Sequence, residues 1–235
     1  MWETSVNRFK YDVNTTTQEG PDSHYWGIPK DIGPTVIYYN ETYFNEAGVT
    51  VISVAADDLE DFNNGEKDSR GKTKADYGIT GEVKEKGYFE LDGKKWFNNQ
   101  VPMSWDECVT LSTLVQTEAR TKHKNDNIYG YFTEWWFNYG WSVGGDVAQY
   151  NGEKYDFTLT DTSKNYLATK AVTVNGKSYA AGEIIEYEDK KAASSVDGLY
   201  ELPSMYDALC EFLKLYVRTD RSVDAGMNGY GTSEP

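Results

Sequence analysis

The feature that most restricts the fold of this chain is a helix start that the sequence marks in full. Ser104-Trp105-Asp106-Glu107 has the Ser-x-x-Glu spacing of a capping box, in which the serine side chain accepts a hydrogen bond from a first-turn amide. Apolar side chains then recur at helical spacing on one face as far as Ala119. The pattern predicts a helix over about 104–120 that packs on a core, and it disfavours an all-β architecture.

A second helix and several hairpins complete the pattern. Ser204 and Asp207 follow a proline and predict the start of a helix over about 203–217. Elsewhere the chain carries Asp-Gly and Asn-Gly pairs, which tolerate the positive φ angles of tight hairpin turns. These pairs are Asp92-Gly93, Asn151-Gly152 and Asn175-Gly176. Helices that alternate with strands predict a mixed α/β domain.

Two short β-branched and aromatic runs predict the main strands. They cover Thr35–Tyr39 and Ile128–Phe132, and a short helix is predicted over Glu41–Ala47. We expect these strands to belong to one central sheet flanked by helices. The segments 55–100 and 149–187 are polar, so we expect their β-hairpins to be peripheral additions.

The loop after the second predicted strand carries Glu134, Trp135 and Trp136. Two adjacent tryptophans cannot both face inward, so one indole should meet solvent or a ligand. A flat ring packs on the C–H face of a pyranose, and a neighbouring carboxylate accepts hydrogen bonds from hydroxyls. The loop therefore suggests a sugar site, and the alternative is that both indoles are core residues.

The charge balance narrows the class of ligand. The 235 residues include 23 basic and 38 acidic side chains, for a net charge of −15, which opposes binding to nucleic acid or anionic lipid. Cys108 and Cys210 have no metal-ligand spacing to His24 or His123, so we expect no metal and no cofactor. Each cysteine falls within a predicted helix, and we expect free thiols, with a disulfide between the two helices as the alternative. The acidic loop 61–76 misses the EF-hand spacing for calcium.

Neither terminus carries a targeting pattern. No apolar run approaches the ~20 residues of a membrane span, and the start has no signal-peptide pattern. A methionine placed directly before Trp2, and a glycine-rich end without a terminating element, are typical of an internal piece. We therefore expect the sequence to be part of a longer protein whose targeting segment lies outside it.

Several motifs occur in a fixed order along the chain. They are Trp26-Gly27-Ile28-Pro29-Lys30-Asp31, Val36-Ile37-Tyr38-Tyr39-Asn40, Tyr43-Phe44-Asn45-Glu46-Ala47-Gly48, Met103-Ser104-Trp105-Asp106-Glu107, Tyr129-Gly130-Tyr131, Gly144-Gly145 and Leu202-Pro203-Ser204. The set resembles the carboxyl-side lobe of extracellular solute-binding proteins of sugar ABC transporters, the maltose-binding-protein-like group (family 1). The resemblance covers most of residues 25–225 and depends on the order of the motifs.

This resemblance implies a domain layout and partners. Residues 25–235 would form one α/β lobe of a type II periplasmic-binding-protein-like fold, after a hinge-side lead-in over 1–24. The other lobe would lie outside this sequence. The implied protein is an extracellular, cell-surface-attached or periplasmic monomer that binds a mono- or oligosaccharide and delivers it to membrane permease subunits.

The resemblance also implies which residues meet the sugar. Glu134, Trp135 and Trp136 would face the cleft between the lobes, and Lys30 and Asp31 would lie within reach of it. Two aromatic residues further along, Tyr139 and Trp141, are expected to be core or supporting residues.

Two other functions are compatible with the residues. A glycoside hydrolase needs a pair of carboxylates about 5–10 Å apart, and Glu134 is the acid in a persuasive aromatic setting. A β-rich carbohydrate-binding or adhesion module would suit the hairpins and tyrosines, but the capped helices disfavour it. We expect binding without catalysis.

Overall fold

A computed structural model of the protein describes residues 6–15, 17–29, 37–125, 127–133 and 137–213. The chain divides into two compact units, 1–40 and 41–235. The predicted division into a lead-in and one lobe stays a prediction.

The first unit contains a small antiparallel ribbon. Strand β1 (Lys10–Tyr11) pairs with β2 (His24–Tyr25). The buried Asp12 carboxylate accepts hydrogen bonds from the backbone N–H of Asn14 and of Asp22, which closes the chain between the strands. Sequence spacing does not reveal this ribbon within the lead-in implied for 1–24, because two-residue strands leave no periodic signal.

The second unit begins with a short helix and a three-stranded sheet. The elements are α1 (Glu41–Glu46), β3 (Val49–Ile52), a 3₁₀ turn (Ala56–Asp58), α2 (Leu59–Asn63), β4 (Tyr88–Leu91) and β5 (Lys94–Asn98). Asp92 and Gly93 have φ angles of 55° and 71°, as a tight hairpin turn requires. The predicted short helix and the predicted hairpin are therefore confirmed.

Strand β5 lies in the middle of this sheet, parallel to β3 and antiparallel to β4. Buried apolar side chains from the whole segment form one cluster: Ile52, Val54, Leu59, Phe62, Ile79, Val83 and Trp96. The prediction that residues 55–100 are peripheral is therefore wrong. The segment is polar on average, but five of its apolar side chains lie in this buried cluster: Leu59, Phe62, Ile79, Val83 and Trp96.

Two buried polar side chains brace the cluster. Asn98 donates to the Val54 carbonyl (2.8 Å) and accepts from the Val54 N–H (3.0 Å). The Asp68 carboxylate accepts from the Tyr77 hydroxyl (2.8 Å) and from the N–H groups of Ser53, Arg70 and Lys72. In the loop 61–76, which we considered for calcium, the buried Asp68 carboxylate therefore accepts hydrogen bonds from the protein itself.

The predicted long helix is confirmed as α3 (Trp105–His123). Ser104 caps it by accepting from the Glu107 N–H at 3.2 Å, as a capping box requires. The Glu107 carboxylate instead accepts from the N–H groups of Gly87 (3.2 Å) and Tyr88 (3.3 Å). It therefore ties the helix to the start of the hairpin β4–β5.

The remaining elements are short helices and two-stranded ribbons. They are α4 (Asn138–Ser142), β6 (Ala148–Tyr150), β7 (Tyr155–Phe157), β8 (Asn165–Ala168), β9 (Val172–Val174), β10 (Lys177–Tyr179), a 3₁₀ turn (Tyr187–Asp189), α5 (Lys190–Ala193), β11 (Leu199–Leu202) and α6 (Met205–Leu213). The pairs are β6–β7, β9–β10 and β8–β11, all antiparallel. The hairpins predicted at the two Asn-Gly pairs are confirmed, and so is the predicted last helix over its described part, while 214–217 lie outside the described residues.

This region has a buried cluster of its own, formed by Ala168, Val174, Tyr179, Ile185 and Ala193. Four of these residues, Ala168, Val174, Tyr179 and Ile185, belong to the segment 149–187, so the prediction that it is peripheral is wrong here too. Lys190, at the start of α5, is buried and donates to Asp161 (3.0 Å) and to the Ser163 carbonyl (3.2 Å). This ion pair ties α5 to the segment that precedes β8.

The mixed α/β class is confirmed, but the predicted main strands are wrong. Residues 128–132 are not a strand, and neither are 37–39, the described part of Thr35–Tyr39. Ile37 and Tyr38 are exposed, so their apolar surface has no sheet to cover it. Among the described residues the widest sheet has three strands.

The structure bears on the expected state of the cysteines and on the expected absence of a membrane span. Cys108 and Cys210 are free thiols, as predicted. In the part of the chain that the structure describes, every helix is too short or too polar to cross a bilayer.

Candidate functional site

The residues predicted to meet a ligand are Glu134, Trp135, Trp136, Lys30 and Asp31. All five lie outside the described residues. Their roles therefore stay predictions, and the site is built from the described residues on either side of the tryptophan pair.

The chain before the pair is fixed on helix α3. The Arg120 guanidinium donates to the Ile128 carbonyl at 2.7 Å, and the Gln116 side-chain oxygen accepts from the Gly130 N–H at 3.1 Å. A Cβ atom at Gly130 would lie 2.0 Å from the Ser112 carbonyl oxygen. These contacts occupy backbone groups that a strand would have paired, which explains why the strand predicted at 128–132 does not form.

Three aromatic rings meet where this segment crosses the start of α3. Trp105 stacks on Tyr139, with ring centroids 4.4 Å apart and planes at 11°. Tyr131 meets the same indole edge-on at 6.3 Å. All three rings are half-buried, so they form a rigid aromatic base for the surrounding surface.

A second aromatic pair lies on α4. Phe137 contacts Trp141 with centroids 4.3 Å apart, and Trp141 is 45% exposed. The Trp141 indole N–H donates to Asp146 at 3.1 Å, which holds the ring beside a carboxylate. Of the two roles expected for Trp141, core or supporting residue, the core role is wrong, because the ring packs on Phe137, four positions earlier, and stays 45% exposed. Tyr139, on the other face, matches the expectation of a supporting residue.

Short contacts hold this site together. The Asn138 amide donates to the Thr133 hydroxyl at 3.4 Å, so the described residues on both sides of 134–136 are bonded to each other. Helix α4 lies close against α6, and Cβ atoms at Gly140 and Gly145 would lie 2.4 and 2.8 Å from the Met205 sulfur. The glycines allow a close approach that any larger residue would block.

The local field is negative. Burial, followed by the carboxylates of Asp106, Glu211 and Asp207, raises the pKa of the Tyr139 hydroxyl. Lys164 and Ser204 hold the pKa of Asp207 below its usual range, so this carboxylate stays ionised at neutral pH. Such a surface favours ligands that offer hydroxyl or cationic donors, and it repels anions.

The arrangement offers flat apolar rings next to hydrogen-bond acceptors. Among the described residues no group of three or more His, Cys, Asp or Glu side chains is placed to hold a metal ion. Sequence reasoning missed Phe137, Trp141 and Asp146 as site residues. The sequence features that could have indicated them are the helical spacing of Phe137 and Trp141 and the position of Asp146 directly after Gly144-Gly145.

Comparison of the chain with protein family models, with curated proteins and with solved structures finds no match. Its function is therefore inferred from the residues and their geometry.

Proposed function

We propose that this chain is the carbohydrate-binding part of an extracellular solute-binding protein that serves a sugar ABC importer. The sugar is a mono- or oligosaccharide, bound by aromatic stacking and hydrogen bonds. The ligand is carried and released unchanged, so the proposed activity is binding and not catalysis.

The observation that carries the proposal is the pairing of an exposed indole with a carboxylate. Trp141 presents nearly half of its surface, and Asp146 is held at its edge by the indole N–H. A pyranose has apolar C–H faces and a rim of hydroxyl donors, so a ring and an acceptor side by side suit it. Trp135 and Trp136, next to the pair Phe137–Trp141 in sequence, would extend the same surface.

The charge of the site and of the chain supports a neutral ligand. Burial and then the charges of Asp106, Glu211 and Asp207 raise the pKa of the Tyr139 hydroxyl, and the whole chain carries a net charge of −15. A nucleotide, a phosphorylated sugar or an acidic glycan would be repelled. Neutral hydroxyls are good donors to these carboxylates.

The proposal includes a specific fold and specific partners. The mixed α/β class and the ordered motifs support one lobe of a type II periplasmic-binding-protein-like fold. A second lobe would complete the cleft, and a hinge motion would close both lobes on the sugar before docking to permease subunits. Glu134, Lys30 and Asp31 would supply polar contacts in that cleft.

Fluorescence titration tests the proposal. We expect neutral oligosaccharides to change the tryptophan emission with millimolar affinity, because one stacked ring contributes only about 2 kcal/mol against the cost of orientation. Trp135→Ala, Trp136→Ala or Trp141→Ala should reduce the affinity at least about tenfold. The matched control is Trp26→Ala, which removes an exposed indole bonded to the Tyr11 carbonyl in the other unit.

Full affinity in all three site variants would refute the site assignment. Turnover of chromogenic glycosides by the wild-type protein would refute the transport role and favour a glycoside hydrolase. Equal loss of affinity in the Trp26 control would show that the signal does not report the proposed site.

A further inference from the structure

The ribbon β6–β7 exposes aromatic rings that the candidate site does not use. Tyr150 is 40% exposed, Tyr155 70% and Phe157 91%. Side chains two residues apart on a strand share a face, and the register pairs Tyr150 with Tyr155 and Ala148 with Phe157. The three rings therefore lie on one face of the ribbon, which we call the aromatic ribbon face.

This face is braced from within the hairpin. The Tyr150 and Tyr155 rings lie 5.5 Å apart, and the Tyr150 hydroxyl donates to the Gly152 carbonyl at 2.8 Å. Asn151 accepts from the Glu153 and Lys154 N–H groups at 3.0 Å each. It also donates to Asp156 at 2.7 Å across the turn. The rings are thus carried by a turn that is already bonded, so a ligand need not order it.

The ribbon is also tied to the candidate site. The Thr158 hydroxyl donates to the Asp146 carbonyl at 2.7 Å, and the Gln149 amide donates to the Gly144 carbonyl at 3.1 Å. The acceptors lie where the site ends, next to the carboxylate bonded to Trp141. A linear ligand that leaves the site in this direction would meet the ribbon.

We propose that the aromatic ribbon face binds a neutral glycan chain, as a carbohydrate contact additional to the candidate site. The exposed fractions sum to about two aromatic side chains, or roughly 400 Å². A stable protein interface needs about 800 Å² on each partner, so the face is too small for a second copy of this chain. Tyrosine and phenylalanine rings suit the C–H faces of successive sugars, and the net charge of −15 disfavours a polyanion.

The choice of carbohydrate rests on the proposed function, but the ribbon can be tested separately. Neither strand of the ribbon contains tryptophan. Substituting the ribbon's aromatic residues therefore leaves the tryptophan emission that reports the binding of short sugars to the candidate site. Binding of long chains is measured instead by native electrophoresis in gels that contain soluble starch, xylan or galactomannan.

The test variant is the double substitution Tyr155→Ser and Phe157→Ser, and the matched control is Tyr200→Ser. Tyr200 is 61% exposed on β11, so the control removes a similarly exposed ring from a different ribbon. We expect at least one polysaccharide to retard the wild-type protein and the control alike. The double variant should lose about tenfold in apparent affinity, because two ring contacts are removed.

Three results would overturn the proposal. They are wild-type mobility that no polysaccharide changes, equal retardation of the wild type and the double variant, and a dimer in sedimentation that the double variant abolishes. The last result would assign the face to a second copy. Circular dichroism confirms that the variant is folded, which is expected because both side chains are exposed.

Discussion

The hairpins β4–β5 and β6–β7 share a sequence pattern, but their aromatic side chains differ in burial. Both have a glycine in the turn and two aromatic residues on the second strand, yet Trp96 is 1% exposed and Phe157 is 91% exposed. Strand β3 pairs along β5, and α2 covers the sheet through Phe62, whereas β6–β7 is paired as an isolated ribbon. A hairpin pattern therefore determines the turn and the register, and the rest of the chain determines which rings are buried.

The largest expected effect is the difference between these two aromatic residues. Trp96→Ala should lower the free energy of unfolding by about 3–5 kcal/mol, because it opens a cavity in the first cluster. Phe157→Ala should change it by less than about 0.5 kcal/mol, because the ring is exposed. Denaturant unfolding followed by circular dichroism measures both, and similar losses in the two variants would break the comparison.

The next effect concerns the ion pair between Lys190 and Asp161. Lys190→Met keeps the apolar stem but leaves the Asp161 carboxylate without its cation, which should cost about 3 kcal/mol. The control is Lys154→Met, which removes an exposed ammonium 3.8 Å from Asp156 and should cost less than about 0.5 kcal/mol. A negligible cost at Lys190 would show that this ion pair contributes little to the stability of the fold.

A third effect appears as a pH dependence of the first region. Burial raises the pKa of Asp68, but hydrogen bonds from Lys72, Tyr77 and two other residues outweigh it and hold the pKa below its usual value. A carboxylate whose folded-state pKa is depressed stabilises the fold above the unfolded value near pH ~4, and the contribution is lost as pH falls through the folded-state pKa. The free energy of unfolding should therefore decline in acid.

The Asp68→Asn variant should be less stable at neutral pH and should decline less steeply below about pH 4. Tyr77→Phe, which removes one donor to the carboxylate, should give a smaller change in the same direction. Urea titrations at a series of pH values measure both slopes. An unchanged slope in Asp68→Asn would assign the acid sensitivity to other carboxylates.

The smallest expected effect is at the cap of α3, which braces the first hairpin through Glu107. Ser104→Ala should cost about 1 kcal/mol, because the Glu107 N–H loses its acceptor. The effect should be on stability only. A variant that melts normally but no longer changes its fluorescence with sugar would instead show that the Ser104 hydroxyl itself contacts the ligand.

Local signals were the reliable part of the sequence. Capping at Ser104 and Ser204 and positive φ at Asp92-Gly93 depend on neighbouring residues, and they predicted helices and turns correctly. The strand predicted at Ile128–Phe132 failed because its backbone bonds to side chains of α3, which sequence spacing does not reveal. Whether such a short apolar segment forms a strand depends on which distant element its backbone pairs with.

The same limit applies to the candidate site. Trp141 could have been found from its spacing to Phe137, but its bond to Asp146 depends on how the chain turns at Gly144. The peripheral location predicted for 55–100 failed because average polarity hides where a few apolar residues converge. Average composition is thus a poor guide to burial in a chain of short elements.

The parallel pairing of β3 with β5 has a consequence for how the chain reaches this structure. Strands β4 and β5 close over a tight turn, whereas Val49 must find Lys95 across the whole intervening segment. Hairpins form within about 1–10 µs, and long-range parallel pairing is slower because a large loop must first be closed. The hairpin should therefore form before β3 pairs with it, while Trp96 is still exposed to water. The slower step in forming this sheet is then also the step that buries Trp96.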